Sequence, residues 1–286
     1  MKFAVLGGDE RSAILCDLLC ADGHKLRCFA LEKAKLCPAA TKTGCLQSCV
    51  YGADCVVLPV PAEKAGLLNA PFSGEKLELS QIVSALWPGQ LVCGGKFDAE
   101  ICALAQKANI FLSDIMKLPE FTAGNAVLTA EGALEKLMAA GKSSLWKSDV
   151  LIVGCGRIAK LLAQRLRAMG AYVCIAARSG HDRAMAKVMG LGAMDIFELE
   201  SRIGEYNSIV NTVPARVISD AALCCISGEA VLLELASPPG GFDRNLAENI
   251  GLKTVFAPGL PGLCAPYTAA ELVKQAVYQS IKNQEE

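Results

Sequence analysis

One structural unit is written twice into this chain. An apolar run, a glycine turn, a helix-length segment and a closing glycine recur with the same spacing. Val5-Leu6-Gly7-Gly8-Asp9 opens the first copy and Gly23 closes it. Ile152-Val153-Gly154-Cys155-Gly156 opens the second and Gly170 closes it, 16 residues after its first glycine in both copies. Glycine supplies the left-handed backbone that a tight turn and a helix C-terminus require. Further apolar runs follow the same beat. With Lys2–Leu6 and Asp149–Val153 they are Leu26–Ala30, Cys55–Leu58, Leu91–Cys93, Ile110–Leu112, Tyr172–Ala177, Ser208–Asn211, Ala230–Glu234 and Lys253–Phe256. Short strands separated by amphipathic helices build doubly wound parallel sheets. Ten strands exceed one ordinary sheet. The sequence therefore predicts an α/β chain of two Rossmann-like domains with parallel sheets, joined by crossing helices around a cleft.

The crossings are expected at two places. Thr129 is read as an N-cap, with Glu131 in the first turn of the helix it starts. Near the end, Pro266 precedes the capping box Thr268-Ala269-Ala270-Glu271, and Leu272, Val273, Ala276, Val277 and Ile281 form one apolar stripe. A terminal helix with such a stripe must pack on something. The expected division is residues 1–140 as a substrate-side domain, with helix 268–286 folded back on it, and 141–267 as the dinucleotide-binding domain. The tail Gln284-Glu285-Glu286 is expected to fray.

Composition narrows the function. Apolar residues make up 52% and charged residues 20%, which supports a real core and excludes a disordered chain. Lys and Arg number 28 against 29 Asp and Glu, so no basic excess exists to neutralise phosphates and a nucleic-acid partner is not expected. No apolar run approaches ~18 residues and no secretory signal is visible, so neither a membrane span nor export is expected. The 14 cysteines sit in apolar runs such as Tyr172-Val173-Cys174-Ile175 and read as small buried hydrophobes. No C-x-x-C occurs, and only His24 and His181 are present, so no metal site is expected. The compartment reads as reducing and cytoplasmic.

The second glycine turn carries the sharper signal. Gly154-x-Gly156-x-x-Ala159 lies between a strand and a helix. Gly154 permits the turn, and Gly156 lets a pyrophosphate reach the amides of Arg157 and Ile158 at the helix start. Ala159 is small enough for close helix–strand packing. At the end of the next strand stand Arg178 and Ser179, where an acid would hold a ribose 2′-hydroxyl. A guanidinium and a hydroxyl suit a 2′-phosphate, which favours NADP, with NAD as the alternative. Asn211-Thr212-Val213-Pro214, the loop after Glu234 containing Ala236, and Ala257–Gly262 follow later strands and are expected to flank the nicotinamide.

The first turn has Asp9 where the second has Gly156. A carboxylate there repels a pyrophosphate, so this loop is read as a substrate loop. Candidate chemistry in the first domain rests on Asp9, Arg11 and Lys96, with Glu131 at the crossing. Arg11 and Lys96 suit substrate carboxylates, Arg11 as a bidentate clamp, and Gly94-Gly95 beside Lys96 offers free amides to an oxyanion. Neither histidine is placed for hydride chemistry. The reaction must use another acid–base or need little help, as an oxidation that creates an aromatic ring would.

These residues carry a resemblance. Gly7-Gly8-Asp9-x-Arg11, Leu58-Pro59-Val60, Thr129-x-Glu131-Gly132, Gly154-x-Gly156-Arg157, Ala177-Arg178-Ser179, Asn211-Thr212-x-Pro214, Leu235-Ala236-Ser237 with Pro239-Gly240-Gly241, and Ala257-Pro258-Gly259-Leu260-Pro261-Gly262 with Ala265-Pro266 resemble, in order, the family of the dipicolinate synthase A subunit. The resemblance implies a nicotinamide-dependent oxidation of a dihydrodipicolinate-level product of the lysine pathway to dipicolinic acid. It also implies the mother cell of a sporulating bacterium as the setting, and the smaller, flavoprotein-like dipicolinate synthase B subunit for a partner. A homo-oligomer is a further expectation. Three residues depart from the pattern: Ala159 for a third glycine, Leu128 for a proline, and Tyr267 for a lysine. The alternatives are another NADP-dependent oxidoreductase of the shikimate or hydroxy-acid kind, or a nucleotide-binding subunit without turnover.

Overall fold

The computed structural model describes residues 1–285. Two six-stranded parallel sheets carry the chain. The first holds β1 (Lys2–Leu6), β2 (Lys25–Phe29), β3 (Thr41–Lys42), β4 (Cys55–Val57), β5 (Leu91–Gly94) and β6 (Phe111–Asp114), in the order 3-2-1-4-5-6. The second holds β7 (Asp149–Val153), β8 (Tyr172–Ala177), β9 (Gly192–Asp195), β10 (Ser208–Asn211), β11 (Val231–Glu234) and β12 (Lys253–Phe256), in the order 9-8-7-10-11-12. Both are the doubly wound order of the Rossmann fold. The predicted strands are all present within a residue or two at their ends. β3 and β9 are additions at the sheet edges, and Glu63–Lys64 with Leu67–Leu68 form a separate two-stranded hairpin.

The two copies of the repeated unit fold alike. Helix α1 (Glu10–Ala21) follows β1 and helix α2 (Arg157–Ala168) follows β7. Gly7 N–H donates to Phe29 O at 2.9 Å, and Gly154 N–H donates to Ala176 O at 2.9 Å. Gly7, Gly23, Gly154 and Gly170 all have positive φ, so each closing or opening turn uses the conformation that its glycine permits.

Contacts group Met1–Asn125 with the segment from Ala265 onward, and Ala126–Cys264 as a second compact unit. The break therefore falls at Asn125/Ala126 and Cys264/Ala265 instead of the expected 140/141 and 267/268. The cause is a helix, Pro119–Ala140, that begins ten residues before Thr129. Thr129 is thus a buried mid-helix residue, not an N-cap, and Glu131 is not in a first turn. Gly124 and Asn125 belong to the same helix, and Leu272 fills the space where a Cβ at Gly124 would lie. The C-terminal helix, Pro266–Glu285, starts on its proline, whose missing N–H costs nothing at that position. Thr268 falls inside the first turn, so the capping box does not form. Gln284 and Glu285 continue the helix, and Glu286 lies outside the described residues.

Each sheet is covered on both faces, as strand alternation dictates. Phe3 and Val5 pack with Leu15, Leu19, Val273 and Val277, so the C-terminal stripe completes the first unit's core. Ala4 and Leu6 face the opposite layer with Leu46, Ile82 and Ile101. In the second unit Val150 and Ile152 pack with Leu162 and Leu166, while Leu151 and Val153 pack with Leu199 and Leu223. All 14 cysteines are free thiols, six of them buried; burial pushes the Cys28 thiol up to about 11 and Cys49 up to about 12. No helix among the described residues is long and apolar enough to cross a membrane.

Candidate functional site

Ligands of open α/β sheets bind outside the carboxyl ends of the strands, at the point where strand order reverses. In the second unit that point lies between β7 and β10, and Gly154 to Ile158 form the turn beside it. Gly154 is held at φ +103°, and a Cβ there would overlap Thr212 Oγ1. Thr212 is itself fixed by donating Oγ1–H to Val153 O at 2.8 Å. Gly156 is the N-cap of α2, is exposed, and makes no side-chain cap; a Cβ there would meet nothing within 4 Å. The first turn of α2 holds no acid. Its N-terminal amides, Arg157 and Ile158 among them, therefore face open space with a positive dipole end. Arg157 is exposed, and Ile158 is half-buried against the core. Ala159 is fully buried.

At the end of β8, Arg178 is exposed and makes no ion pair among the described residues. Ser179 caps the helix Gly180–Val188, its Oγ accepting from Asp182 N–H at 3.4 Å. The backbone here is pinned by Arg183, which donates to Ala177 O and Arg178 O at 2.8 and 2.7 Å and pairs with Asp195 at 2.8 Å. Nothing in the sequence pattern singles out Arg183, and its commitment to these partners leaves Arg178 as the available guanidinium.

Asn211, at the end of β10, is fully buried. Its Nδ2 donates to Val213 O at 2.9 Å and to Glu234 Oε1 at 2.7 Å, and its Oδ1 accepts from Val213 N–H at 3.1 Å. With these bonds made, its side chain shapes the loop and has no arm left to reach a ligand. Ala236 likewise spends its amide on Glu234 Oε1, at 2.8 Å. Thr212 and Val213 stay half-buried at this edge. Glu234 is the residue that sequence reasoning passed over. Its only signal is an acid ending an otherwise apolar strand. The segment after β12 is not an open loop: Leu260–Cys264 is a short helix whose Leu260 packs on Gly132.

The first unit's matching turn is closed. Asp9 caps α1, accepting from Arg11 N–H at 3.1 Å, and Glu10 adds a second acid. The Arg11 guanidinium donates to both Asp9 carboxylate oxygens, Nε at 2.9 Å and Nη2 at 2.7 Å, and Nη2 also donates to Val60 O at 2.7 Å. Arg11 is 8% exposed. Its fork is thus occupied by Asp9 and does not stand open for a carboxylate. A dinucleotide does not fit this turn, because two acids occupy the helix end where phosphates would bind.

Lys96 is an exposed cation at this sheet's carboxyl edge. It follows Gly94 and Gly95 at the end of β5 and has φ +63°, rare for a residue with a Cβ. Asp114 at the end of β6 holds its backbone there, accepting from Lys96 N–H at 3.0 Å. Glu131 belongs to the second unit, where it is exposed and paired with Arg165 at 3.1 Å. His24 precedes β2 and so sits at the amino edge of the first sheet, opposite the ligand edge. No group of three or more His, Cys, Asp or Glu among the described residues is arranged to hold a metal ion.

Comparison with known proteins places these features in a wider set. Residues 2–116 match the family described as the N-terminal domain of the dipicolinate synthase A subunit. The dipicolinate synthase A subunit of Bacillus subtilis (strain 168) is 28% identical over 276 residues, covering 96% of this chain and 93% of that protein. The crystal structure of the A chain of dipicolinate synthase from Bacillus subtilis superposes with a TM-score of 0.84 at 26% identity, covering 100% of this chain and 98% of that one. Its counterpart from Bacillus halodurans gives 0.85 at 24% identity, covering 97% and 96%. The resemblance read from the motifs extends along the whole chain.

Proposed function

We propose that this chain, which resembles the dipicolinate synthase A subunit from end to end, oxidises a dihydrodipicolinate-level intermediate to dipicolinic acid using NADP. The observation that carries the reading is the contrast between its two glycine turns. One helix N-terminus is open and free of acids at Gly156, and the other is filled by Asp9 and Arg11. One dinucleotide per chain follows. The amides of Arg157 and Ile158 would take the pyrophosphate, and Arg178 the 2′-phosphate that distinguishes NADP from NAD. A bound nicotinamide supplies the hydride acceptor. Val213, held by the buried Asn211, and Thr212, held by Val153 O, line the same edge and orient what binds there.

In the first unit, Lys96 is the residue best suited to a substrate carboxylate, because its ammonium is exposed at the ligand edge. Arg11 serves by holding Asp9 and the Val60 carbonyl in place. The conversion of a dihydropyridine dicarboxylate to a pyridine dicarboxylate removes one hydride and one proton. Aromatisation drives that loss, so water suffices as the proton acceptor and no histidine is required. The resemblance further supports the dipicolinate synthase B subunit for a partner and a role in sporulation inside the cytoplasm.

The test is turnover. Purified chain is incubated with the lysine-pathway aldol product and NADP, and pyridine absorbance and NADPH are followed together, with and without the B subunit. Equal appearance of both products supports the reading. NADPH formed only from shikimate or a hydroxy acid points to a different dehydrogenase. Binding without turnover under either condition points to a nucleotide-binding role alone.

A further inference from the structure

Glu234 is a carboxylate 5% exposed at the carboxyl end of β11. Its Oε1 accepts from Asn211 Nδ2 at 2.7 Å and Ala236 N–H at 2.8 Å, and its Oε2 accepts from Gly241 N–H at 2.8 Å. All three partners are N–H donors, which suits an ionised group that only accepts. No lysine, arginine or histidine pairs with it among the described residues. Burying an anion without a cation sacrifices hydration and gains no Coulombic return. Three hydrogen bonds hold the charge in place, and no ion pair among the described residues neutralises it.

Strand order says what stands to benefit. A dinucleotide spans the reversal point with one mononucleotide on each half of the sheet. Arg178 at the end of β8 marks the half that suits the 2′-phosphate, which leaves β10, β11 and β12 for the nicotinamide. The oxidised ring carries a positive charge and the reduced ring none, while the phosphates are common to both. We propose that Glu234 is a specificity-determining residue that makes the site prefer the oxidised over the reduced dinucleotide, through a fixed negative charge at the nicotinamide edge. The proposal rests on the dinucleotide reading above. It gives the site a direction, since the substrate form of the cofactor is held and the product form is released.

The experiment is calorimetric titration of the wild-type chain and of Glu234→Gln with NADP and with NADPH, alongside thermal melting. Wild-type chain should bind NADP more tightly than NADPH. In Glu234→Gln the ratio of the two dissociation constants should move about tenfold toward NADPH, the scale of one unit charge acting at an intermediate dielectric. Equal affinities in the wild-type chain overturn the proposal whether or not the variant folds. So does a variant in which both affinities weaken alike, since Glu234 would then only shape its loop. Failure of the wild-type chain to bind either form rejects the dinucleotide reading itself.

Discussion

Asn211 and Glu234 face each other across β10 and β11, Nδ2 donating to Oε1 at 2.7 Å, with both side chains out of solvent. Their pairing fixes two loops at one sheet edge. Asn211 grips Val213 on both its N–H and C=O, and Glu234 grips Ala236 and Gly241. Asn211, which looks from the sequence like a direct ligand contact, is here part of the frame that presents its neighbours.

Two glycines at this edge should respond oppositely to alanine. A methyl at Gly241 would overlap the Asn211 side chain, which is hydrogen-bonded and cannot retreat. Gly241→Ala is expected to cost about 1–3 kcal/mol of stability, the usual range for overpacking. Gly156→Ala meets nothing within 4 Å at an ordinary φ of −76°, so melting should hardly change. Its NADP affinity should nevertheless fall, because the methyl stands over the helix amides. Calorimetric melting with titration checks both, and a stable Gly241→Ala would mean that the Asn211–Glu234 frame is loose.

Arg178→Asp should reverse the choice of cofactor. An exposed guanidinium with no ion pair among the described residues is available to meet a 2′-phosphate, and a charge-assisted contact is worth about 1.5–3 kcal/mol, roughly ten- to a hundred-fold in affinity. NADP should weaken by that factor while NAD holds or improves. Unchanged relative affinities would show that the phosphate is held elsewhere.

Arg11 and Lys96 should separate structure from binding. Arg11→Lys keeps the charge but loses the two-armed grip on Asp9 and the bond to Val60 O. It should melt earlier, by about 1–3 kcal/mol of stability, with the substrate KM near normal. Lys96→Gly should do the reverse. Glycine adopts positive φ without penalty, so stability should hold or rise by up to about 1 kcal/mol. The substrate KM should rise because the ammonium is gone. A raised KM for Arg11→Lys with normal melting would return the clamp to Arg11.

The first unit should lose stability in mild acid. His24 Nδ1 lies 3.3 Å from the Met1 ammonium, and Nε2 lies 3.0 Å from the Tyr278 hydroxyl, which donates to Asp22 at 2.6 Å. Partial burial, then the nearby ammonium, lower the imidazole below its ordinary 6.5, so the fold prefers it neutral. The neutral ring's contribution is complete above pH 6.5 and is lost as pH falls through the lowered value. Asp22, held below its ordinary 3.8 by Lys274 and Tyr278, adds a second loss further into acid. The melting temperature should therefore drop below about pH 6.5, and His24→Gln should flatten that first drop. Parallel curves for the two proteins would remove His24 from the account.

Local residue pattern was enough for the sheets and their glycine turns. Short apolar runs bounded by turn residues do not reach helix length and fit buried strands, and paired glycines at fixed spacing serve where the backbone turns left-handed. The asymmetry between Asp9 and Gly156 was legible for the same reason, because it depends on the residue's own side chain. The remainder depends on contacts made only once the chain is folded. β3 and β9 are two and four residues long, and pairing with a neighbour, not their own pattern, makes them strands. Thr129 carries a cap's chemistry, yet a helix already running from Pro119 absorbs it. Arg11 is closed by Asp9 and by a carbonyl 49 residues away, and Glu234 is held by the neighbouring strand's Asn211 and by the loop that follows it. A side chain's free hydrogen-bonding capacity depends on which partners the fold brings within about 3 Å, and local residue pattern does not encode that distance.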